Sequence, residues 1–324
     1  GLLPLFALLV RGARGQGDVT PWSCAGKSQV PEDSNGKVNS SVLFQAFPEP
    51  ALVPWPAQLD IEADYLALSA GNSAVVAASA ELWPLAQLLS QEIAAATDGE
   101  LKLAPRNASS AEAEAEAEAA AGNIVLSLDA SAAAGASSLA VTASGVAVSA
   151  ASYADLVPAT ATLLQALERS ADHDSIPPTS NNCSSGAARW RLPHITVSDK
   201  PQFGIRGVMV DAAREFLPLA ALKGYVVLCR LYKLNHLHLH LTDDSAFTFP
   251  STTYPELAEK AKFKYKLSDL QQLQAFALQR GVTIIGEMDV PGHASGLVTA
   301  LPEVSRTIIA GIWVAFFAAR VPAI

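Results

Sequence analysis

The sequence predicts an α/β protein: a small α/β layer, then the first units of a parallel (β/α)8 barrel that this chain leaves incomplete. Three observations predict it. Strand-like and helix-like runs alternate through the second half, as right-handed βαβ units require. Polar residues collect where each of those strands finishes, which is where a barrel carries its active site. Half of the 324 residues are hydrophobic and only 16% are charged, so there is ample material for a core. That balance excludes a disordered chain, which combines low hydrophobicity with high net charge.

The length corresponds to about two domains at roughly 150 residues each. The formal charge of −9 argues against a broad basic surface, and so against nucleic acid as partner. Apolar runs stay below the ~20 residues that span a bilayer. Leu2 to Val10 reads as the apolar part of a signal peptide, so residues 1–16 are expected to be a leader remnant. Sequons at Asn39, Asn107 and Asn182 are glycosylation candidates and fit the secretory pathway, with lysosome, vacuole or the exterior as destination. Cys24 and Cys183 lie in polar surroundings and could pair. Cys229 falls in an apolar helical pattern and reads as a buried thiol.

Residues 17–50 read as a linker and 51–200 as the α/β layer. Within the layer, Leu59–Leu66 and Asn123–Leu128 are expected strands. Leu139–Thr142 and Val146–Ala150 form an expected hairpin about Ser144-Gly145. Leu82–Ala95 and Val157–Leu167 show helical spacing. Glutamates 112, 114, 116 and 118 alternate with alanine and read as a solvated insertion.

Residues 201–304 carry the barrel rhythm. Ile205–Asp211, Asn235–Leu241 and Val282–Met288 are the strands, and Pro218–Tyr232 and Leu267–Arg280 the helices. Ser268 is the expected N-cap of the second helix, with Gly281 just past its end. Lys260 to Lys266, with Phe263 and Tyr265 interleaved, reads as a solvated loop. Residues 305–324 form an apolar tail of different character.

The chemistry lies at the strand ends. His236, His238 and His240 share one face of their strand, and Leu237, Leu239 and Leu241 the other. Such a row is either a His-x-His metal site or the floor of a polar pocket. Asp243-Asp244 follows and is able to orient a ligand or a catalytic group. Asp211 and Arg214 end the first strand, where Arg214 either offers its donors to a ligand or pairs with Glu215. Glu287, Asp289 and His293 end the third. There Pro291-Gly292 turns the chain, and the spacing suits an Asp–His hydrogen bond.

Together, RGVMVDAAREFLPL, KLNHLHLHLTDD and GVTIIGEMDVPGHA resemble the first three barrel units of glycoside hydrolase family 20, the β-N-acetylhexosaminidases. Residues 51–200 resemble the small domain that precedes that barrel. The resemblance implies a retaining glycosidase for terminal β-linked N-acetylglucosamine or N-acetylgalactosamine, in which the substrate's own acetamido oxygen is the nucleophile. It implies that Arg214 grips sugar hydroxyls and that His240 walls the pocket. Asp243 and His293 would be the supporting dyad that tunes the catalytic glutamate. Asp211, Glu287 and Asp289 would have supporting roles. No cofactor and no metal are implied. The partners are amino-sugar glycoconjugates or chitin oligosaccharides, with a homodimer as the expected full-length assembly.

The family's catalytic Asp-Glu pair and pocket tryptophans come from later strands, and the resemblance stops near Val304. Pro250 stands where the family usually has glutamate. The expectation is therefore an inactive fragment of such an enzyme. A non-catalytic carbohydrate-binding module and a metal-dependent barrel hydrolase built on the histidines stand as alternatives.

Overall fold

The computed structural model describes residues 52–108, 122–170, 190–259 and 261–302. The expected leader and linker, Cys24, Cys183, Asn39, Asn182, the glutamate-rich insertion and the apolar tail lie outside the described residues.

The first part runs β1 (Gln58–Leu68), β2 (Ala74–Ala77), α1 (Trp83–Ala96), β3 (Ala104–Asn107), β4 (Asn123–Leu128), β5 (Ser137–Val141), β6 (Gly145–Ala150), α2 (Tyr153–Ala166), β7 (Glu168–Arg169) and β8 (Trp190–Asp199). These strands make one mixed sheet in the order β1-β8-β5-β6-β4-β2-β3, with β7 added on β8. Neighbours among β6, β4, β2 and β3 are parallel, and those among β1, β8, β5 and β6 antiparallel. The interior strand β2 is buried on both faces, which is why its sequence is a continuous AVVA run rather than an alternation. The edge strand β1 exposes most of its length and carries Asp60, Glu62 and Asp64, charges that discourage further pairing.

Helix α1 turns Leu85, Leu89 and Ile93 onto the sheet. Helix α2 begins at Tyr153, four residues before the expected start. Ser152 caps it: its Oγ accepts from the Asp155 N–H at 3.2 Å and donates to Asp155 Oδ2 at 2.8 Å. Strands β2, β3, β7 and β8 were not expected. Pro193 argues against β8 as a strand, but it sits opposite Tyr65, at a register shift where the ladder is already broken.

The second part runs β9 (Gly207–Asp211), α3 (Leu219–Leu231), β10 (His236–His240), α4 (Glu256–Glu259), α5 (Leu267–Leu278), β11 (Thr283–Glu287) and α6 (Ser295–Ala300). The three strands are parallel in the order β11-β10-β9. Leu237 and Leu239 are fully buried against Leu222, Val226 and Cys229 of α3 and Leu273 and Ala277 of α5. Burying each such leucine is worth about 1.5–3 kcal/mol, which fixes the register and sends all three histidines to the opposite face. Cys229 has a free thiol, and burial pushes its pKa up to about 11.

Two local expectations need correction. Lys266, not Ser268, is the N-cap of α5, because the Asp269 carboxylate accepts from the Lys266 N–H at 3.0 Å. Nor is the lysine-rich stretch wholly solvated. Tyr265 is buried, donates to the Leu217 carbonyl at 2.6 Å and packs on Phe216.

The two parts share core. Val227 and Leu231 of α3 join the cluster under the first sheet, and the Tyr153 hydroxyl donates to the Gln279 carbonyl.

Candidate active site

The strand register builds the site. Asp211, His240 and Glu287 are cross-strand neighbours at the carboxyl ends of β9, β10 and β11. The loops that follow bring in Arg214, Asp243, Asp244 and His293.

Asp211 ends β9 and ties its own loop. Its Oδ1 accepts from the N–H groups of Ala213 and Arg214 at 3.0 and 2.9 Å, and its Oδ2 takes Arg214 Nη1 at 2.6 Å. Burial would raise the Asp211 pKa, but the Arg214 and Ala213 hydrogen bonds outweigh it and hold the carboxyl below its ordinary value. Arg214 then spans to the next strand, with Nη2 2.6 Å from Asp243 Oδ2. The pairing with Glu215 weighed from sequence is not the one formed.

Asp243 is the centre of the cluster and is only 3% exposed. Besides Arg214, its Oδ2 meets His240 Nε2 at 3.2 Å and lies 3.4 Å from His293 Nδ1. Its Oδ1 accepts from the Asp244 N–H at 2.6 Å. Desolvation opposes ionisation here, yet the His240 and backbone hydrogen bonds and the Arg214 charge together keep its pKa below the ordinary carboxylate value.

His240 stands between two carboxylates, Asp243 at Nε2 and Glu287 Oε1 at 2.8 Å from Nδ1. Both nitrogens can donate only when the ring carries two protons. Burial would push its pKa down, but the bonds to Glu287 and Asp243 raise it above the ordinary histidine value. Glu287 also contacts His238 Nε2. The result is a chain of contacts that runs Arg214, Asp243, His240, Glu287, His238.

His293 follows the Pro291-Gly292 turn in the left-handed region, at φ +55°. That conformation is uncommon outside glycine. It aims the ring at Asp243 and at Asp244 Oδ2, 3.7 Å away. Asp289 is not its partner, contrary to the spacing argument. The Asp289 N–H instead donates to Thr242 Oγ1 at 3.0 Å, fastening the β11 loop to the end of β10. Among the described residues the Asp289 carboxylate has no hydrogen-bond or ion-pair partner. Asp244 Oδ1 accepts from Ser295 N–H and Oγ at 3.0 and 2.6 Å, which lowers the Asp244 pKa.

The histidine row does not converge on a metal. His236 Nδ1 meets Asn235 Oδ1 at 2.7 Å, while His238 and His240 face carboxylates. Ligand atoms that do converge, within 4.8 Å of one another, belong to Asp243, Asp244 and His293. There the Arg214 guanidinium already supplies fixed positive charge. Asn107, the sequon asparagine within the described residues, is exposed at the end of β3.

Sequence reasoning placed His238 in the histidine row without its Glu287 partner, and passed over Thr242 and Ser295. His238 had a signal: it lies two residues before His240 on the same face. Ser295 and Thr242 had none, since their partners are remote in sequence.

The profile of the glycosyl hydrolase family 20 catalytic domain matches residues 203–319, and that of the same family's domain 2 matches residues 49–200. The chain belongs to glycoside hydrolase family 20. The catalytic-domain match runs past Val304, where motif-level likeness was last legible.

Family 20 relatives agree. A β-hexosaminidase of Akkermansia muciniphila is 38% identical over 125 residues, covering 35% of this chain and 25% of the relative. One from Vibrio furnissii is 30% identical over 201 residues, covering 56% and 30%. The solved Streptomyces plicatus N-acetyl-β-hexosaminidase superposes with a TM-score of 0.64 at 22% identity, covering 84% of this chain and 52% of that one. The last comparison shows the shared α/β fold. The chain thus spans about half or less of the length of these family members.

Proposed function

We propose that this chain carries the first part of a β-N-acetylhexosaminidase active site, which removes terminal β-linked N-acetylglucosamine or N-acetylgalactosamine from glycoconjugates or chitin oligosaccharides with retention. The observation that supports this most is Arg214 locked between Asp211 and Asp243. Two guanidinium nitrogens are held by carboxylates, so the side chain is pre-aimed, and Nε and the outward N–H bonds remain to meet sugar hydroxyls.

In this reading Asp243 and His293 hydrogen-bond toward the glutamic acid that protonates the leaving oxygen. The acetamido oxygen of the substrate attacks the anomeric carbon, and the aspartate beside that glutamate orients it. That Asp-Glu pair belongs to the part of the family fold beyond the units described here, so turnover rests on a segment that completes the barrel. His240 and Arg214 keep Asp243 ionised against its desolvation, and Glu287 holds the other nitrogen of the His240 ring. The sequons favour passage through the secretory pathway.

The test is hydrolysis of a chromogenic N-acetyl-β-glucosaminide, with product configuration followed by proton NMR. The β-anomer must appear first, and Arg214→Met must raise KM. Sugar binding without turnover by a protein with a complete barrel would favour the carbohydrate-binding alternative. Inhibition by a chelator would favour the metal-dependent one.

A further inference from the structure

Ser295 opens α6 and is tied to the strand-end cluster through Asp244. Its N–H and Oγ both donate to Asp244 Oδ1, at 3.0 and 2.6 Å. The Asp244 side chain is 55% exposed, so packing does not hold it. An exposed carboxylate samples several rotamers unless hydrogen bonds select one. Two donors on a single oxygen select one here, and they leave Oδ2 3.7 Å from His293 Nδ1. The same bonds, the Ser295 hydroxyl first among them, hold the Asp244 carboxyl below its ordinary value, so it is charged at neutral pH. Helix α6 is itself anchored to the chain that follows β10. Phe247 and Leu257 are buried with Ala300 of α6, and Leu297 packs against them.

Three groups face His293 Nδ1. Asp243 Oδ2 lies at 3.4 Å and Asp244 Oδ2 at 3.7 Å, while Arg214 Nη2 lies at 3.4 Å. The neutral ring carries one hydrogen, and the partners of one nitrogen decide which of the two holds it. A carboxylate only accepts, and so favours hydrogen on Nδ1. A guanidinium only donates, and so favours hydrogen on Nε2. Asp243 and Arg214 stand at the same distance and oppose each other, and Arg214 Nη2 is already engaged by Asp243 at 2.6 Å. Asp244 is the second carboxylate that tips the choice.

We propose that Ser295 is a positioning residue: by fixing Asp244 against His293 it keeps the ring hydrogen on Nδ1 and leaves Nε2 as an acceptor. Ser295 acts through Asp244 and not on a substrate. The consequence for turnover rests on the glycosidase reading, in which an accepting Nε2 is what receives a hydrogen bond from the protonated catalytic glutamic acid. With hydrogen on Nε2 instead, the ring would present a donor to that acid's own proton.

The test is two-bond ¹⁵N–¹H NMR of the full chain labelled at histidine, which reports the nitrogen that carries hydrogen. His293 is assigned by its loss in His293→Gln. The wild type is expected to show the Nδ1–H form in excess. Ser295→Ala should lower the ratio of Nδ1–H to Nε2–H by about threefold or more, the scale of one net hydrogen bond. Asp244→Asn should do the same, and Ser295→Thr, which keeps the hydroxyl, should restore the wild-type ratio. In the full-length protein Ser295→Ala should lower kcat with KM little changed. The proposal is overturned if the wild-type ring is mainly Nε2–H, or if Ser295→Ala or Asp244→Asn leaves the ratio unchanged. A full-length wild type without turnover would count against the glycosidase reading, whereas the ring spectra decide the role of Ser295 without any turnover.

Discussion

Arg214 Nη2 lies 2.6 Å from Asp243 Oδ2, and this contact joins the loops after two adjacent parallel strands. The same guanidinium holds Asp211 through Nη1. Lysine cannot span both carboxylates, because its ammonium is a single point of charge on a flexible stem. Arg214→Lys should therefore lower kcat/KM by about tenfold to hundredfold, the range for one or more charge-assisted hydrogen bonds. Far-UV circular dichroism should be unchanged. Wild-type kinetics in this variant would remove Arg214 from sugar recognition.

The His240 pKa is raised, mainly because hydrogen bonds to Glu287 and Asp243 outweigh its desolvation. A group raised on folding contributes stability that is fully present below its unfolded value of about 6.5. That stability is lost as pH climbs through the folded value. The lowered carboxyls, Asp211 and Asp243, act oppositely. Their contribution is present above about 3.9 and is lost as pH falls through their folded values. Glu287→Gln removes one of the two carboxylates facing His240. NMR titration of the His240 ring should then show a lower midpoint than in the wild type, with the alkaline loss of stability beginning at lower pH. An unchanged midpoint would break the link between Glu287 and His240.

Much of this site was legible because strand alternation is rigid. Three leucines committed to the core leave His236, His238 and His240 no other face. The ends of β9, β10 and β11 were equally legible, since polar residues there have no core to join. What stayed hidden was pairing. His293 could not be assigned to Asp243 over Asp289 by spacing, because its left-handed backbone redirects the ring. In the first sheet, β3 reads APRN and is mostly exposed, so no hydrophobic period marks it. It is a strand because the β2 edge offers it hydrogen bonds.

Gly296 packs beneath the Asp243 loop. A Cβ there would stand 2.9 Å from the Asp243 carbonyl oxygen and 3.2 Å from the Ala246 carbonyl carbon. Both are backbone atoms, so the loop itself must move. Gly296→Ala should destabilise by about 1–3 kcal/mol, the usual cost of overpacking. It should also displace Asp243 and so lower kcat. A chemical-denaturation midpoint equal to wild type would contradict this.

Arg230 and Glu92 form a buried pair at the junction of the two sheets, with Arg230 also donating to Thr160 Oγ1 at 2.7 Å and to the Val157 carbonyl at 2.8 Å. Removing one partner strands a buried charge, so Glu92→Leu alone should cost about 3–5 kcal/mol. The double change Glu92→Leu with Arg230→Met should recover most of that loss. Denaturant unfolding of the single and double variants measures the difference. A double variant no more stable than the single one would show that the pair is not the source of the cost.

The most direct measurement is turnover of 4-nitrophenyl N-acetyl-β-glucosaminide by the full-length protein, as wild type and as Asp243→Asn. The account predicts activity in the wild type and a fall of about a hundredfold or more in kcat for the variant, as loss of acid–base support produces. A barrel-completed protein that is inactive, or one in which Asp243→Asn works as well as wild type, would contradict it.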